Sequence, residues 1–201
     1  SLNPDDISWR KLKAKWFYID SLGGSLALWE KSFAQAAERK ARIACNPGGR
    51  ELAHGLAKLK PYLAQVDIFS INKEEGEELL SGSRDNNPPS PELRRTSMSV
   101  EDILRGLAGL VKGMVVLTLG SDGVLVTDKR SIYRAGVPNS PQIERTGAGD
   151  AFCSGFVTHY MLSGGDIAKS IQFGTANASS VVAQFGAKAG ILKKGDWGQW
   201  P

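Results

Sequence analysis

Long apolar runs are missing from this chain of 201 residues. No stretch reaches the roughly 20 residues that a helix needs to cross a bilayer. Cysteine is scarce, with Cys45 and Cys153 the only two. Two scattered thiols make neither a disulfide framework nor a metal cluster, and they fit a reducing compartment. The front residues do not follow the basic–apolar–small pattern of a secretory leader, so a cytoplasmic location is expected. Two nucleotide signatures are also missing. There is no G-x-G-x-x-G after an early strand and no G-x-x-x-x-G-K-[ST], which excludes a dinucleotide fingerprint and a P-loop. Net charge is only +4, and Lys and Arg fall in small groups such as Arg10-Lys11-x-Lys13-x-Lys15 and Lys193-Lys194. A nucleic-acid surface would be a denser stripe interleaved with aromatics. The groups read as solvated surface, and neither a nucleic acid nor a membrane is an expected partner.

What is present is an ordinary globular composition, 41% hydrophobic and 23% charged, long enough for one α/β domain with a sizeable core. Apolar runs of strand length alternate with helical periodicities. Trp16–Asp20 reads as a strand. Ser25–Arg39 reads as a helix with Leu26, Trp29, Phe33, Ala36 and Ala37 on one face. Arg42–Cys45 is a second strand, ended by the turn "NPGG", and Glu51–Leu63 is helical. Val66–Asn72 is a third strand, and Lys73–Leu80 opens another helix. Residues 81–98, rich in Pro, Asn and Ser, read as an exposed loop. Ser99 then starts a helix running to about Lys112. Met114–Gly120 is the strongest strand, nearly all apolar, as a central strand covered on both faces would be. "GVLVTD" and "SIYRAG" are two shorter strands joined by a tight turn near Lys129. Gly149–Ser163 and Ile167–Gln184 are closing helices. The alternation predicts a Rossmann-like, open, mostly parallel sheet with helices on both faces, in a single domain over residues 1–201.

Ligands of such sheets gather beyond the carboxyl ends of the strands, and three motifs fall there. The first is "RTGAGD", Arg145 to Asp150. Gly147, Ala148 and Gly149 let successive N–H groups point at one spot, at the positive end of the following helix. This makes an anion cradle with Asp150 at its mouth. An acid beside bound phosphate is electrostatically awkward unless it accepts a proton from an attacking hydroxyl. The plainer reading is a glycine turn with a favourable Asp at a helix N-terminus. The second motif is "TLGSDG", where Gly120 and Gly123 allow close backbone approach and the Thr118 hydroxyl can bond a phosphate. It also reads as a simple turn. The third is "NKEE". Asn72 can touch a phosphate and Glu75 can hold Mg²⁺ through water, or the two are an N-cap and a first-turn acid.

Together the motifs resemble the ribokinase-like (PfkB-type) family of carbohydrate and nucleoside kinases, over about Trp16 to Ile191. "TGAGDAF" with Gly155 three residues on is the family's specific signature. Asn72–Glu75 and Thr118–Gly123 follow in the family's order, and "CNPGGREL" resembles its Asn-Pro stretch. The resemblance implies ATP and Mg²⁺ as cofactors. It implies Asp150 as catalytic base, the Gly147–Gly149 backbone as anion hole, and Thr118, Gly120 and Gly123 beside the nucleotide. In "FGTANASSVV" it implies an adenine-side contact at Thr175, by counting back from Gly186, or at Asn177, by residue type. Glu144 and Arg145 stand where the family has Asp-Thr. That acid helps frame a cation site in some members, so a monovalent cation is a doubtful cofactor.

Family members also carry a substantial N-terminal region holding the first strands, a sugar-contacting glycine pair and a β lid. By length, roughly the first third of such a kinase has no counterpart here, and the chain begins at Ser1. The expectation is therefore the nucleotide site and catalytic base of a sugar or nucleoside kinase, paired with the missing N-terminal portion or a second copy of the chain. The rival expectation is a non-catalytic nucleotide-binding or partner-binding fragment.

Overall fold

A computed structural model describes residues 3–82, 98–139, 141–193 and 196. Most of the expected loop at 81–98 lies outside the described residues. Besides short 3-10 turns, six strands and seven α-helices are described, of which the first are β1 (Trp16–Ile19) and α1 (Leu26–Glu38), whose first turn is capped by the Ser25 hydroxyl. Then come β2 (Arg42–Cys45), α2 (Gly49–Leu52), α3 (Leu56–Leu63) and β3 (Ile68–Asn72). Next are α4 (Lys73–Ser81), α5 (Val100–Leu110) and β4 (Met114–Thr118). The chain closes through β5 (Val124–Thr127), β6 (Ile132–Ala135), α6 (Ala148–Leu162) and α7 (Ile167–Val182).

The strands form one sheet in the order β1-β2-β3-β4-β5-β6. β1, β2 and β3 are parallel, with Phe17 opposite Ile43 and Ala44 opposite Ile68. Gly113 and Met114 donate to the carbonyls of Val66 and Asp67, which sets the beginnings of β3 and β4 side by side. β5 and β6 follow through turns too short for a parallel crossover, so the last pairings are antiparallel and the sheet is mixed. The β5–β6 turn falls where expected, at Lys129 with φ 73°. Asp128 holds it by accepting from the Arg130 and Ser131 N–H groups, which keeps its carboxyl below the usual range.

One expected element is corrected. Glu51–Leu63 is two helices rather than one, because Gly55 takes φ 81° and interrupts the run between α2 and α3. The Glu51 side chain is also turned away from solvent (1% exposed) to bond other backbone.

The chain divides into two compact units, residues 1–117 with 126–132, and residues 118–125 with 133–201. In the first, Trp29, Phe33 and Tyr62 meet at ring distances of 5.2–5.7 Å. Ile43, Phe69, Ile103, Leu107 and Val115 are buried with them. Each large side chain hidden in this way contributes about 1.5–3 kcal/mol. The second unit is organised by the pair α6 and α7. Phe152, Phe156 and Tyr160 stack at 6.2 and 6.1 Å along one face of α6. Gly155 and Gly174 let the two helices approach closely, since a Cβ on Gly155 would lie 3.2 Å from the Gly174 Cα. Among the described residues no helix is long and apolar enough to cross a membrane.

Candidate active site

The start of α6 differs from that of four other helices and shares with α3, which follows Gly55, a positive-φ glycine and no side-chain cap. Ser25, Asn72, Ser99 and Asp166 cap α1, α4, α5 and α7 through their side chains. The residue before α6 is Gly147, in a left-handed conformation (φ 82°, ψ 0°), and it has no side chain with which to cap. The positive end of this helix therefore has no acceptor from its own N-cap, and a helix start of that kind suits an anion. The two glycines here do different work. A Cβ on Gly147 would lie 2.6 Å from the Ala187 carbonyl oxygen, so close packing and φ both demand glycine. A Cβ on Gly149 would meet nothing within 4 Å. Gly149 is exposed and faces open space at the helix start. Asp150 is exposed in the first turn.

Two supports hold this turn. The Asn177 amide donates to the Ala151 carbonyl (2.7 Å) and accepts from the Leu192 N–H (2.9 Å). Glu144, just before the turn, accepts from the Gly186 N–H at 2.7 Å. That bond, and then one to the Thr146 side chain, keep the Glu144 carboxyl below the ordinary glutamate range.

The Thr118–Gly123 stretch lies in the same unit. Its glycines also divide in role. Gly123 has φ 92°, and a Cβ there would sit 1.9 Å from the Ala135 carbonyl oxygen, so packing within the hairpin dictates it. Gly120 has φ 59° and open space around its Cα. The Leu119 N–H donates to the Gly123 carbonyl, closing the turn. Thr118, at the end of β4, is half-buried.

Asn72 and Glu75 lie in the first unit. The Asn72 side chain accepts from the Glu75 N–H at 2.8 Å, an N-cap. Thr175 and Asn177, the two candidate adenine contacts, are both buried on α7. No group of three His, Cys, Asp or Glu among the described residues is placed to hold a metal. Mg²⁺ needs no such cage, since it binds through one or two carboxylates together with substrate phosphates.

Sequence reasoning missed the importance of Glu51. Its buried carboxylate accepts from the Leu22 and Gly24 N–H groups (2.7 Å each), the Gly48 N–H (3.1 Å) and the Ser21 hydroxyl (3.2 Å). It thereby ties together the loops that leave β1 and β2. At those same strand ends the Asn46 amide donates to Asp20 at 3.3 Å. The only hint in sequence was "CNPGGREL", because a single acid does not announce four backbone and hydroxyl donors from distant positions. Cys45 is buried beside this cluster, and burial, then Asp20 and Glu51, push its thiol far up. Cys153 is buried on α6, as a small packed hydrophobe would be. A cavity of ≈390 Å³ lies between α5 and the β5–β6 turn at Lys129, and none of the candidate site residues lines it.

An open α/β sheet and a glycine-rich helix start with an acid in its first turn make an arrangement that can receive an anion. Comparison with known proteins is more specific. The pfkB family carbohydrate kinase pattern matches residues 8–194, so the chain belongs to that family. It is 30% identical to a ribokinase of Staphylococcus aureus over 64% of this chain and 39% of the relative. It is 29% identical to a cytidine kinase of Thermococcus kodakarensis over 71% of this chain and 42% of the relative. In fold it is similar to a putative ribokinase II from E. coli solved in complex with ATP and Mg²⁺. The TM-score is 0.69 at 18% identity, covering 89% of this chain and 55% of that one. The chain spans 36% to 55% of the length of the first curated relatives it matches.

Proposed function

We propose that this chain carries the donor-nucleotide site and catalytic base of a kinase that moves the terminal phosphoryl group of ATP to a hydroxyl of a sugar or nucleoside. The observation that carries the reading is the start of α6, with its uncapped N-terminus, the open space at Gly149 and the exposed Asp150. The N–H groups of Gly147–Gly149, of which that of Ala148 also donates to the Arg145 carbonyl at 3.2 Å, hold the transferring phosphoryl group and offset its charge. The Asp150 carboxylate takes the proton of the acceptor hydroxyl as that oxygen bonds to phosphorus, and the bond to the bridging oxygen breaks to leave ADP. Thr118 and Gly120 line the nucleotide, with Gly123 shaping their turn. Asn72 contacts a phosphate and Glu75 holds Mg²⁺ through water. Bound Mg²⁺ would neutralise the donor phosphates. The Asn177 amide is spent on Ala151 and Leu192, which favours Thr175 of the two adenine-side candidates. The bond that the Gly186 N–H donates to Glu144 supports a turn held without a monovalent cation.

The acceptor is held by chain supplied from outside these residues, either the portion of the relatives' length not spanned here or a second copy. We place the reaction in the cytoplasm, which two buried, unbridged thiols support. The test is calorimetric titration of the chain with Mg·ATP, then ADP release with a panel of sugars and nucleosides once the rest of a relative's length is supplied. Saturable binding followed by acceptor-dependent ADP release is expected. Failure to bind Mg·ATP overturns the reading, and binding without turnover reduces the chain to a nucleotide-binding fragment.

A further inference from the structure

The cavity of ≈390 Å³ between α5 and the β5–β6 turn lies wholly within the first unit, and its size suits a small-molecule site. Its charge is one-sided. Arg105 on α5 and Lys129 and Arg130 on the turn line it, and no Asp or Glu is among the described lining residues. Two acids on the same elements have other work. Asp128 accepts from the Arg130 and Ser131 N–H groups inside the turn. Asp102 accepts from the Ser99 hydroxyl at 2.7 Å and lies 3.8 Å from Arg105. That ion pair is solvent-exposed on both sides, so it binds Arg105 only weakly. Lys129 is fixed more firmly. Its ammonium donates to the Val111 carbonyl at 2.6 Å, at the carboxyl end of α5. One of its three donors is used in this way. Leu104, Ala108 and Ile132 give the cavity an apolar side.

A glycine in the cavity wall is the second observation. Glycine is a poor helix former, and α5 contains two, Gly106 and Gly109. Packing explains the first, because a Cβ on Gly106 would lie 2.8 Å from Leu80. It does not explain Gly109, which has no left-handed φ and where a Cβ would meet nothing within 4 Å. Gly109 lines the cavity, and a side chain there would narrow it. The cavity is also set apart from the candidate active site. Val111 leads into Gly113 and Met114, which bond to Val66 and Asp67 at the amino end of β3. Asn72 leaves β3 at its other end. We propose that this cavity binds a small phosphate ester. Its phosphate meets Arg105, Lys129 and Arg130, since guanidinium forks match phosphate oxygens. Its carbon body lies on Leu104, Ala108 and Ile132. The proposal does not depend on the reading of α6.

The experiment follows backbone amide shifts of the isotope-labelled chain during titration with glycerol 3-phosphate, with inorganic phosphate, and with sodium chloride at matched ionic strength. Saturable shifts are expected at Gly109 and at Lys129–Ile132 with the ester, weaker binding with inorganic phosphate, and no saturation with chloride. The double variant Arg105→Gln, Arg130→Gln should weaken ester binding by about 10-fold or more, as for loss of a hydrogen bond to a charged group. Gly109→Leu should weaken it too, while the melting temperature holds or rises, because leucine suits a helix better than glycine. A purely structural role for Gly109 would instead lower the melting temperature. Shifts that chloride reproduces would mean surface screening only and would overturn the site. So would ester binding left unchanged in both variants. Equal affinity for inorganic phosphate would overturn the ester assignment. Shifts confined to Gly147–Asp150 would place the ester at the start of α6, and the cavity would fall while the reading of α6 stands. Failure of the chain to bind Mg·ATP, with the cavity shifts intact, would leave the opposite result.

Discussion

The starts of α4 and α6 look alike in sequence. Each has a turn-forming residue followed three positions later by an acid, Asn72 with Glu75 and Gly147 with Asp150. They are built to opposite ends. At α4 the Asn72 side chain accepts the Glu75 N–H, so the helix closes its own end. At α6 the N-cap has no side chain, the backbone is left-handed, and the space over Gly149 is open. A side-chain cap is worth about 0.5–2 kcal/mol to a helix. Omitting it where α1, α4, α5 and α7 keep theirs means that the stability of this end is made up elsewhere. Here Asn177 and Glu144 brace the turn from outside the helix. The pattern of an acid near a helix start therefore does not separate a fold element from a site. What separates α4 from α6 is that one supplies its own acceptor and the other does not; α3 after Gly55 also lacks one, so the missing cap gains meaning only with the acid of the first turn.

The contrast is sharpest in the two acids. If Asp150 is the base, Asp150→Asn in a complete enzyme should lower turnover by roughly 10²–10⁴-fold, the usual range for loss of general base catalysis. Nucleotide affinity should barely change, because Asn keeps the size and removes a charge that repels phosphate. Steady-state ADP release alongside calorimetry reads both quantities. Near-normal turnover would erase the distinction drawn between the two helix starts.

The glycines offer a second, smaller test within α6 itself. Gly149→Ala places a methyl group in the open cradle without meeting protein atoms. It should weaken Mg·ATP binding by about 10- to 100-fold, the equivalent of one hydrogen bond to a charged group, at unchanged melting temperature. Gly147→Ala should instead cost fold stability, about 1–3 kcal/mol for an L-residue forced to this conformation, with the Ala187 carbonyl adding to the strain. Chemical denaturation and ligand titration of both variants would show the two effects separated. If Gly149→Ala binds normally, the open space is not a phosphate cradle.

The same division between backbone need and ligand need explains how far the sequence could be read. Strand positions were legible because burial imposes apolar runs, and "RIAC" is β2 residue for residue. Helix starts at Ser25, Asn72 and Ser99 were legible because a capping side chain is a local signal. The split between α2 and α3 was not, because Gly55 interrupts an otherwise periodic run and a lone glycine is compatible with a continuing helix. Within the site, sequence named the turns but could not assign each glycine's reason. Gly123 and Gly147 are required by carbonyl groups of Ala135 and Ala187, far along the chain. Glu51 was invisible for a related cause, since it acts through backbone donors at positions 22, 24 and 48.

The smallest expected effect concerns how the two turns respond to acid. The turn before α4 is held by the neutral amide of Asn72. The turn before α6 is held by the Glu144 carboxylate on the Gly186 N–H, and its folded-state pKa is lowered from the ordinary 4.5. A carboxyl whose pKa falls on folding stabilises the fold above its unfolded pKa, and that contribution is lost as pH drops through the lowered folded value. Between about pH 5 and pH 3 the bond at Gly186 should therefore loosen while the Asn72 cap does not. The group is exposed, so solvent screens it and the change in global stability should be slight. The local signature is cleaner. Amide hydrogen exchange, corrected for its intrinsic pH dependence, should show protection falling at Gly186 across this range and holding at Glu75. Glu144→Gln should make the Gly186 protection independent of pH, since its amide keeps an acceptor and cannot be protonated there. Equal losses at both amides would mean that acid is opening the fold as a whole and that the two turns are not held by different means.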